Sequence, residues 1–517
     1  MAPWSYVVAL LAICAVRKVL EFKRNVRKVS NLPGLRSLFS PASPLGVLIP
    51  TSFWNPGLMW FWDWRNQVYP RYGSQTISAL GLLNGHPAFY TISLNVARQV
   101  LSTKGQFEKA PETTDVLGFW GRNLFTENGS EWSRHRRIMN PAFNPETYAL
   151  VWDEAANLYQ EMTSAEGWLD QNEILLPATH DITAKFALII IGRCGFGEPM
   201  PWDITGRSLG TAFSQALRTV SGASIARAII PRWMYRLPIK RLHEIETAFN
   251  TLDAHIEDLI ATRRVELEER EQNCERKDLF RLMIRANEGE GILAMKDEEL
   301  IGNTYLILLA GHETTAKTLD ATIGFLALHE DIQEELHKEI MSVVAGDRKI
   351  NFKDLPVLIL TEACFLEAAR LFRIRQAPAT SISRDTTETV VLKTDEDSHG
   401  GHIILEPGTR IIIDVVGLQC NPKLFTDPEE FRPSRWYGAS ADKLIAFSLG
   451  PRACIGRKFA LTEAVAFLAN LLRDWRLHAV LDPGETREQW RARVMQPSRS
   501  LDLTLGIREF PIRLTRR

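Results

Sequence analysis

The chain reads as a mainly helical protein with a smaller β-sheet, and three observations predict this. From Asp297 to His329 there is no proline, and the middle of that run, Leu306 to Ala310, is strongly apolar. Ile182 to Ile191 is apolar on nearly every side, the pattern of a helix buried in a bundle. The alternating stretches, by contrast, are short: Ile77 to Leu80, Ala88 to Ile92 and Val390 to Leu392.

Composition narrows the function classes. Apolar content of 45% and charged content of 24% in 517 residues describe a globular protein with ample core. The net charge of −1 gives no global reason to expect nucleic acid. Cys14, Cys194, Cys274, Cys364, Cys420 and Cys454 lack the paired spacing of zinc or redox sites, and they fit a reducing compartment. No internal repeat or low-complexity tract divides the chain.

Taken in order, Pro3 to Val16 is apolar or uncharged, and Arg17, Lys18, Lys23, Arg24, Arg27 and Lys28 follow. The apolar run alone spans ~21 Å of helix, short of a ~30 Å hydrocarbon core unless Arg17 and Lys18 snorkel. Positive charge after the run differs from a secretory signal, and the positive-inside rule keeps the remainder cytosolic. Residues 1–28 are therefore expected to form a single-pass or monotopic anchor, against the alternative of a buried N-terminal helix. Leu32-Pro33-Gly34 and the Pro, Ser and Gly of 40–56 make 29–56 a hinge, leaving 57–517 as one large domain. Trp54, Met59, Trp60, Phe61, Trp62 and Trp64 suit equally the core of a first helix and a membrane interface.

Asn95 to Ser102 is a predicted helix with Ser93 as its N-cap. Pro111 to Leu124 is irregular, and Asn128-Gly-Ser130 is a turn. A predicted helix then places Trp132 and Arg136 on one face at i,i+4, with Arg134 and Arg137 pointing elsewhere. Ser208 to Arg236 is of mixed character, and Glu244 to Arg276 is a long charged helix facing solvent. In the 297–329 helix, Gly311 allows a local distortion, while Thr314 and Glu313 offer a hydroxyl and a carboxylate. Position 316 is Ala316, so His312-Glu313 is no zinc motif. Glu367 and Arg370 share a helix face, and Arg435 lies in an irregular segment downstream. Ile403 to Val415 turns at Pro407-Gly408 within sheet, and Leu501 to Leu514 alternates as a closing hairpin.

The stretch Phe447-Ser-Leu-Gly450-Pro-Arg452-Ala-Cys454-Ile-Gly456 delivers a cysteine to the start of an apolar helix. There the backbone N–H groups and the helix dipole favour thiolate, the form that ligates iron. Gly450 and Gly456 remove side chains where a flat macrocycle must approach. Arg452 is placed to reach a carboxylate on its rim, and Phe447 to cover the sulfur. A lone cysteine is more often a buried structural residue.

In this company the stretch resembles the haem-binding loop of the cytochrome P-450 superfamily. Three further stretches resemble the same family in the same order: Trp132-Ser-Arg-His-Arg136, Ala310-Gly311-His312-Glu313-Thr314-Thr315, and Glu367-Ala-Ala-Arg370 with Phe431-Arg-Pro433-Ser-Arg435-Trp436. The resemblance implies a triangular helical prism holding haem b between the long central helix and the Cys454 loop. It implies axial ligation by Cys454, and cofactor contacts from Arg452, Trp132, Arg136, Phe447 and Gly456. Oxygen activation would fall to Thr314 and Glu313, and the structural Glu367–Arg370–Arg435 cluster would fix the loop. Substrate would meet Phe119, Trp120, Ile307 and Ala310. The sequence departs from the family at Arg373-Ile-Arg375, where Pro-Pro is common, and at Thr380, where an arginine often reaches a propionate; Arg384 is a substitute.

The implied function is a monooxygenase that oxidises a lipophilic small molecule, a terpenoid or other specialised metabolite, with O2 and NADPH-derived electrons. Partners would be a flavoprotein, NADPH–cytochrome P-450 reductase, with cytochrome b5 as a further donor, at the endoplasmic reticulum membrane. Two rivals are a reductase-independent haem-thiolate isomerase or dehydratase, and a membrane-tethered haem sensor. The retained Glu313–Thr314 pair speaks against both.

Overall fold

A computed structural model describes residues 2–41, 43, 45–46, 49–57, 59–84, 86–102, 105–114, 117–203, 210–269, 278–344, 348–372, 381–394, 401–496 and 506–517. In chain order the elements used below are α1 (Ala2–Lys28), β1 (Gly34–Phe39), β2 (Thr76–Asn84), β3 (Ala88–Thr91), α2 (Leu94–Ser102) and β4 (Phe107–Glu108). Then come α3 (Gly129–Met139), α4 (Pro145–Ala165), β5 (Glu173–Leu176), α5 (Thr179–Ile191), α6 (Gly210–Ile229), α7 (Lys240–Glu269) and α8 (Asp297–Leu328). The last are α9 (Ile359–Leu371), β6 (Ser381–Thr386), β7 (Val390–Lys393), β8 (His402–Leu405), β9 (Arg410–Asp414), α10 (Arg457–Asp474), β10 (Trp475–Ala479) and β11 (Ile512–Arg516).

The chain divides into two units. The first holds residues 1–113, 377–430 and 448–453, and its six-stranded sheet has the order β1-β2-β3-β9-β6-β4. Inside the expected hinge, Gly34–Phe39 is a strand paired parallel to β2. The Trp-rich stretch divides: Trp60 and Phe61 are buried, while Phe53 and Trp54 are exposed. The predicted N-cap is present, with Ser93 Oγ accepting from the Val96 N–H at 3.2 Å. In α1 the apolar side chains from Tyr6 to Leu20 are largely exposed. No helix among the described residues is long and apolar enough to cross a membrane.

The second unit holds residues 114–376, 431–447 and 454–517. Its axis is α8, which packs mainly against α5. Of its 32 residues, most are buried. Asp297, Glu298 and Glu299 occupy the first turn, where the helix dipole favours negative charge. The Glu299 carboxylate accepts the Lys296 N–H at 2.9 Å, closing the helix start. The closing hairpin expected over 501–514 takes another form. β11 pairs antiparallel with β10 and with β5, so its partners lie far away in sequence. Residues 501–505, 270–276, Arg373 to Arg375 and Thr380 lie outside the described residues. Among the described residues the cysteines form no disulfide.

Arg134 was expected only to point away from the face that Trp132 and Arg136 share. It clamps the start of α8, reaching Glu299 Oε1 at 2.6 Å and Oε2 at 3.1 Å. Burial raises the Glu299 pKa, but the hydrogen bonds from Arg134 and Lys296 outweigh it and hold it at about 2. A depressed carboxylate pKa contributes stability above the unfolded value and loses it as pH falls through the folded one. Glu299→Gln is therefore expected to cost about 2–3 kcal/mol near neutrality. The gap to wild type should close between pH 4.5 and about 2, as followed by denaturant unfolding across that range.

Candidate active site

The cysteine loop is shaped by its backbone. Ser448 and Gly450 take left-handed conformations (φ 59° and 67°). A Cβ at Gly450 would stand 2.3 Å from the Leu101 carbonyl oxygen at the end of α2, so only glycine fits. Gly450–Arg452 forms a single 3-10 turn. The Cys454 N–H then donates to the Phe447 carbonyl at 2.8 Å. Gly456 caps α10, leaving Cys454 three residues ahead of the first helical residue and exposed. Phe447 does not bury the sulfur; its ring lies under the Arg457 guanidinium at 5.3 Å. Burial lowers the Arg136 pKa, and the charge of Cys454 opposes that shift, so the two groups are electrostatic neighbours.

The middle of α8 carries an open stripe. Ile307, Ala310, Gly311 and Thr314 are not buried, although their neighbours on the helix are. The spacing i, i+3, i+4, i+7 puts all four on one face. Thr314 Oγ1 donates back to the Ala310 carbonyl at 2.7 Å. Gly311 does not distort the helix as expected, since α8 runs unbroken. Its role is close packing, because a Cβ there would lie 2.8 Å from Ile191 Cγ1 of α5. Glu313 is buried and held, accepting from Ser221 Oγ at 2.5 Å and Lys317 Nζ at 2.8 Å.

Trp132 and Arg136 lie one turn apart on α3, both half-buried. The segment before α3 is docked on α8 by Asn303, whose Oδ1 accepts the Leu124 N–H at 2.8 Å. That places Trp120 against Tyr305 of α8 (centroids 4.1 Å) and in parallel stacking with Phe249 of α7 (5.1 Å). Phe119 meets Phe249 edge-on at 5.5 Å.

The structure brings Glu367, Arg370 and Arg435 together. Glu367 receives Arg370 through two bonds of 2.8 Å, Arg435 Nε at 3.2 Å, the Arg432 N–H at 3.0 Å and Trp436 Nε1 at 2.9 Å. Glu367 and Arg370 are fully buried. Sequence reasoning missed Ser221, Lys317, Asp320 and His180, which surround Glu313 and the next turns of α8. One signal was available: Glu313, Lys317 and Asp320 recur at i, i+4 and i+7 in a helix that is otherwise uncharged beyond its first turn.

A family profile described as cytochrome P-450 matches residues 68–505. Cytochrome P-450 monooxygenase 124 of Postia placenta is 34% identical over 522 residues, covering 98% of this chain and 97% of its own. The chain belongs to the cytochrome P-450 family. It is also similar to cyclooctat-9-en-7-ol 5-monooxygenase of Streptomyces melanosporofaciens, at 28% identity over 77% of this chain and 82% of that one. Among solved structures, the haem domain of cytochrome P-450DA shares the fold at a TM-score of 0.72, with 21% identity, 94% of this chain and 98% of that one covered. A zebra fish cytochrome P-450 with progesterone does so at 0.67, with 21% identity and 89% and 99% covered. As a family member the chain is a monooxygenase, an oxidoreductase of haem iron that uses dioxygen, a small-molecule substrate and a redox partner.

Glu367 accepts from the guanidinium groups of Arg370 and Arg435 inside the protein, so removing it takes a buried carboxylate from both. Glu367→Ala is expected to destabilise the protein by about 3–5 kcal/mol. Chemical denaturation of the variant and of wild type measures the difference.

Proposed function

We propose that this cytochrome P-450 holds haem b through Cys454 and hydroxylates or otherwise oxidises a lipophilic small molecule. The observation that carries this is the open stripe of Ile307, Ala310, Gly311 and Thr314 on a buried helix, in the same unit as an exposed cysteine. The residues fit the prosthetic group: a thiol for the iron, small and apolar side chains for a flat face, and cations for its carboxylates. Trp132, Arg136 and Arg452 would bind those carboxylates, with Phe447 and Gly456 beside the ligand. When bound, a thiolate-ligated haem supplies dioxygen activation and transfer of one oxygen atom to the substrate.

The chain's own residues would orient substrate and handle protons. Ile307 and Ala310 would line the substrate side, and the Phe119–Trp120 segment, fixed by its stacking on Phe249 and Tyr305, would close it. The Thr314 hydroxyl would direct protons and Glu313 would supply them. Glu367, Arg370 and Arg435 would be structural. Electrons would come from NADPH through a flavoprotein reductase, with cytochrome b5 as a further donor. The exposed apolar side chains and basic flank of α1 support a single-pass or monotopic anchor at the endoplasmic reticulum membrane. A terpenoid or related specialised metabolite is the proposed substrate class. The name of the cyclooctat-9-en-7-ol 5-monooxygenase relative lends it support.

Cys454→Ser is expected to lose the thiolate-type absorption of the reduced CO complex, because an alcohol is a far poorer ligand; retention of that spectrum would overturn the assignment. Thr314→Ala is expected to keep consuming NADPH while product falls, with the missing electrons recovered as hydrogen peroxide. Loss of a positioned proton donor costs about 10²–10⁴-fold in the step it serves, and leakage into peroxide makes the observed loss smaller. Unchanged product per NADPH would remove Thr314 from the mechanism.

A further inference from the structure

A row of ionisable side chains runs inside the protein along one face of α8. Glu313, Lys317 and Asp320 stack at i, i+4 and i+7, with fractional exposures of 5%, 9% and 4%. Neighbouring helices complete both ends. At the inner end, Glu313 takes hydrogen bonds from Lys317 and from Ser221 of α6. At the outer end, Asp320 Oδ2 pairs with His180 Nδ1 of α5 at 2.6 Å, and its Oδ1 accepts from Thr183 Oγ1 at 2.7 Å. The His180 side chain keeps 20% exposure, so the row meets solvent at an imidazole.

Packing alone does not account for this row. Ionised groups in a helix–helix contact carry a desolvation penalty that apolar side chains of similar volume would avoid. Lys317 follows Glu313 by four residues and precedes Asp320 by three, and both spacings bring side chains together on a helix. Its flexible four-carbon stem lets the ammonium group serve either carboxylate.

We propose that this row is the proton inlet of the active site: His180 takes protons from solvent and passes them through Asp320 and Lys317 to Glu313, beside Thr314. The inference rests on the reading in which Glu313 and Thr314 handle protons. Each step moves a proton and nothing else. Lys317 gives an N–H proton to the Glu313 carboxylate and is left as an amine. Asp320, having taken a proton from the His180 imidazolium, returns it to that amine, and His180 is recharged by water.

The titratable and charged groups facing His180 are Asp320, Lys317 and His312 of α8 and Arg218 of α6, which itself pairs with Asp181 and Glu509. Burial lowers the His180 pKa, but Asp320 outweighs it, and the net direction is upward. The imidazolium, the proton-giving form, therefore persists to higher pH than in free histidine. His312 stands outside the row: burial lowers its pKa, and its Nδ1 pairs with the Leu308 carbonyl at 2.7 Å.

The test uses the full-length, haem-loaded protein with a flavin reductase. It compares His180→Gln and Asp320→Asn with Thr314→Ala, each first checked for a wild-type reduced-CO spectrum. Product per NADPH in His180→Gln is expected to fall about tenfold at pH 8, with peroxide taking up the electrons, and to lose the wild-type dependence on pH. Asp320→Asn should do the same, and it carries the test if His180→Gln does not fold. A second readout needs no turnover. The His180 ring, titrated by NMR with selectively labelled histidine, should move upward in Lys317→Met, which removes a like charge. Wild-type coupling and pH profile in both inlet variants, with Thr314→Ala uncoupled, would overturn the inlet and spare the role of Thr314. No change in any of the three would remove both. A His180 titration indifferent to Lys317→Met would also overturn it, since Lys317 would not then belong to the row.

Discussion

The second unit depends on one buried carboxylate. Glu367 is the sole anion among the groups bonded to it, and it gathers two guanidiniums, an indole N–H and a backbone N–H. The segment 431–447 is tied by these bonds to α9, although more than sixty residues of chain intervene. Cys454 follows that segment through a turn set by Ser448 and Gly450. A pair of buried charges contributes little net stability by itself. Its value here is geometric, because five donors converging on two oxygens leave the segment a single seat.

The central helix shows how much two faces of one element can differ. Toward α5 and α6 it presents two carboxylates and an ammonium, which pair with one another and with the hydroxyls and imidazole of those helices. Along the open stripe it presents Ile307, Ala310, Gly311 and Thr314, side chains that are small, apolar or already bonded to their own helix. A rigid backbone serves both faces. The intrahelical bonds at Ala310 to Thr314 are complete, and the tight approach of Ile191 to Gly311 fixes the helix laterally.

Much of this was legible in the sequence because it is local. Apolar periodicity gives α5 and α8, alternation gives β2 and β3, and an i,i+3 pair gives Glu367 with Arg370. The cysteine loop was readable because glycine and cysteine at fixed spacing restrict the backbone before any tertiary contact forms. What escaped was non-local. Arg134 was legible only as lying off the Trp132–Arg136 face, and its partner appeared when the start of α8 was set against it. His180 and Ser221 join Glu313 and Asp320 only through the packing of three helices. Gly311 looked like a point of distortion, whereas the constraint it answers belongs to α5.

The strand order β10-β11-β5 has a consequence for how the chain is made. β11, at residues 512–516, is the middle strand, and its partners begin at residues 475 and 173. During synthesis β5 emerges more than three hundred residues before the strand that covers it, so its backbone groups wait unpaired while most of the unit is being built. Long-range pairing of this kind is slow and exposes strand edges meanwhile. Glu173, whose carboxylate lies 3.9 Å from Arg513 once β11 is in place, puts a charge at the end of that waiting edge. The nascent chain thus carries its own deterrent to premature association until the ribosome has delivered the final strand.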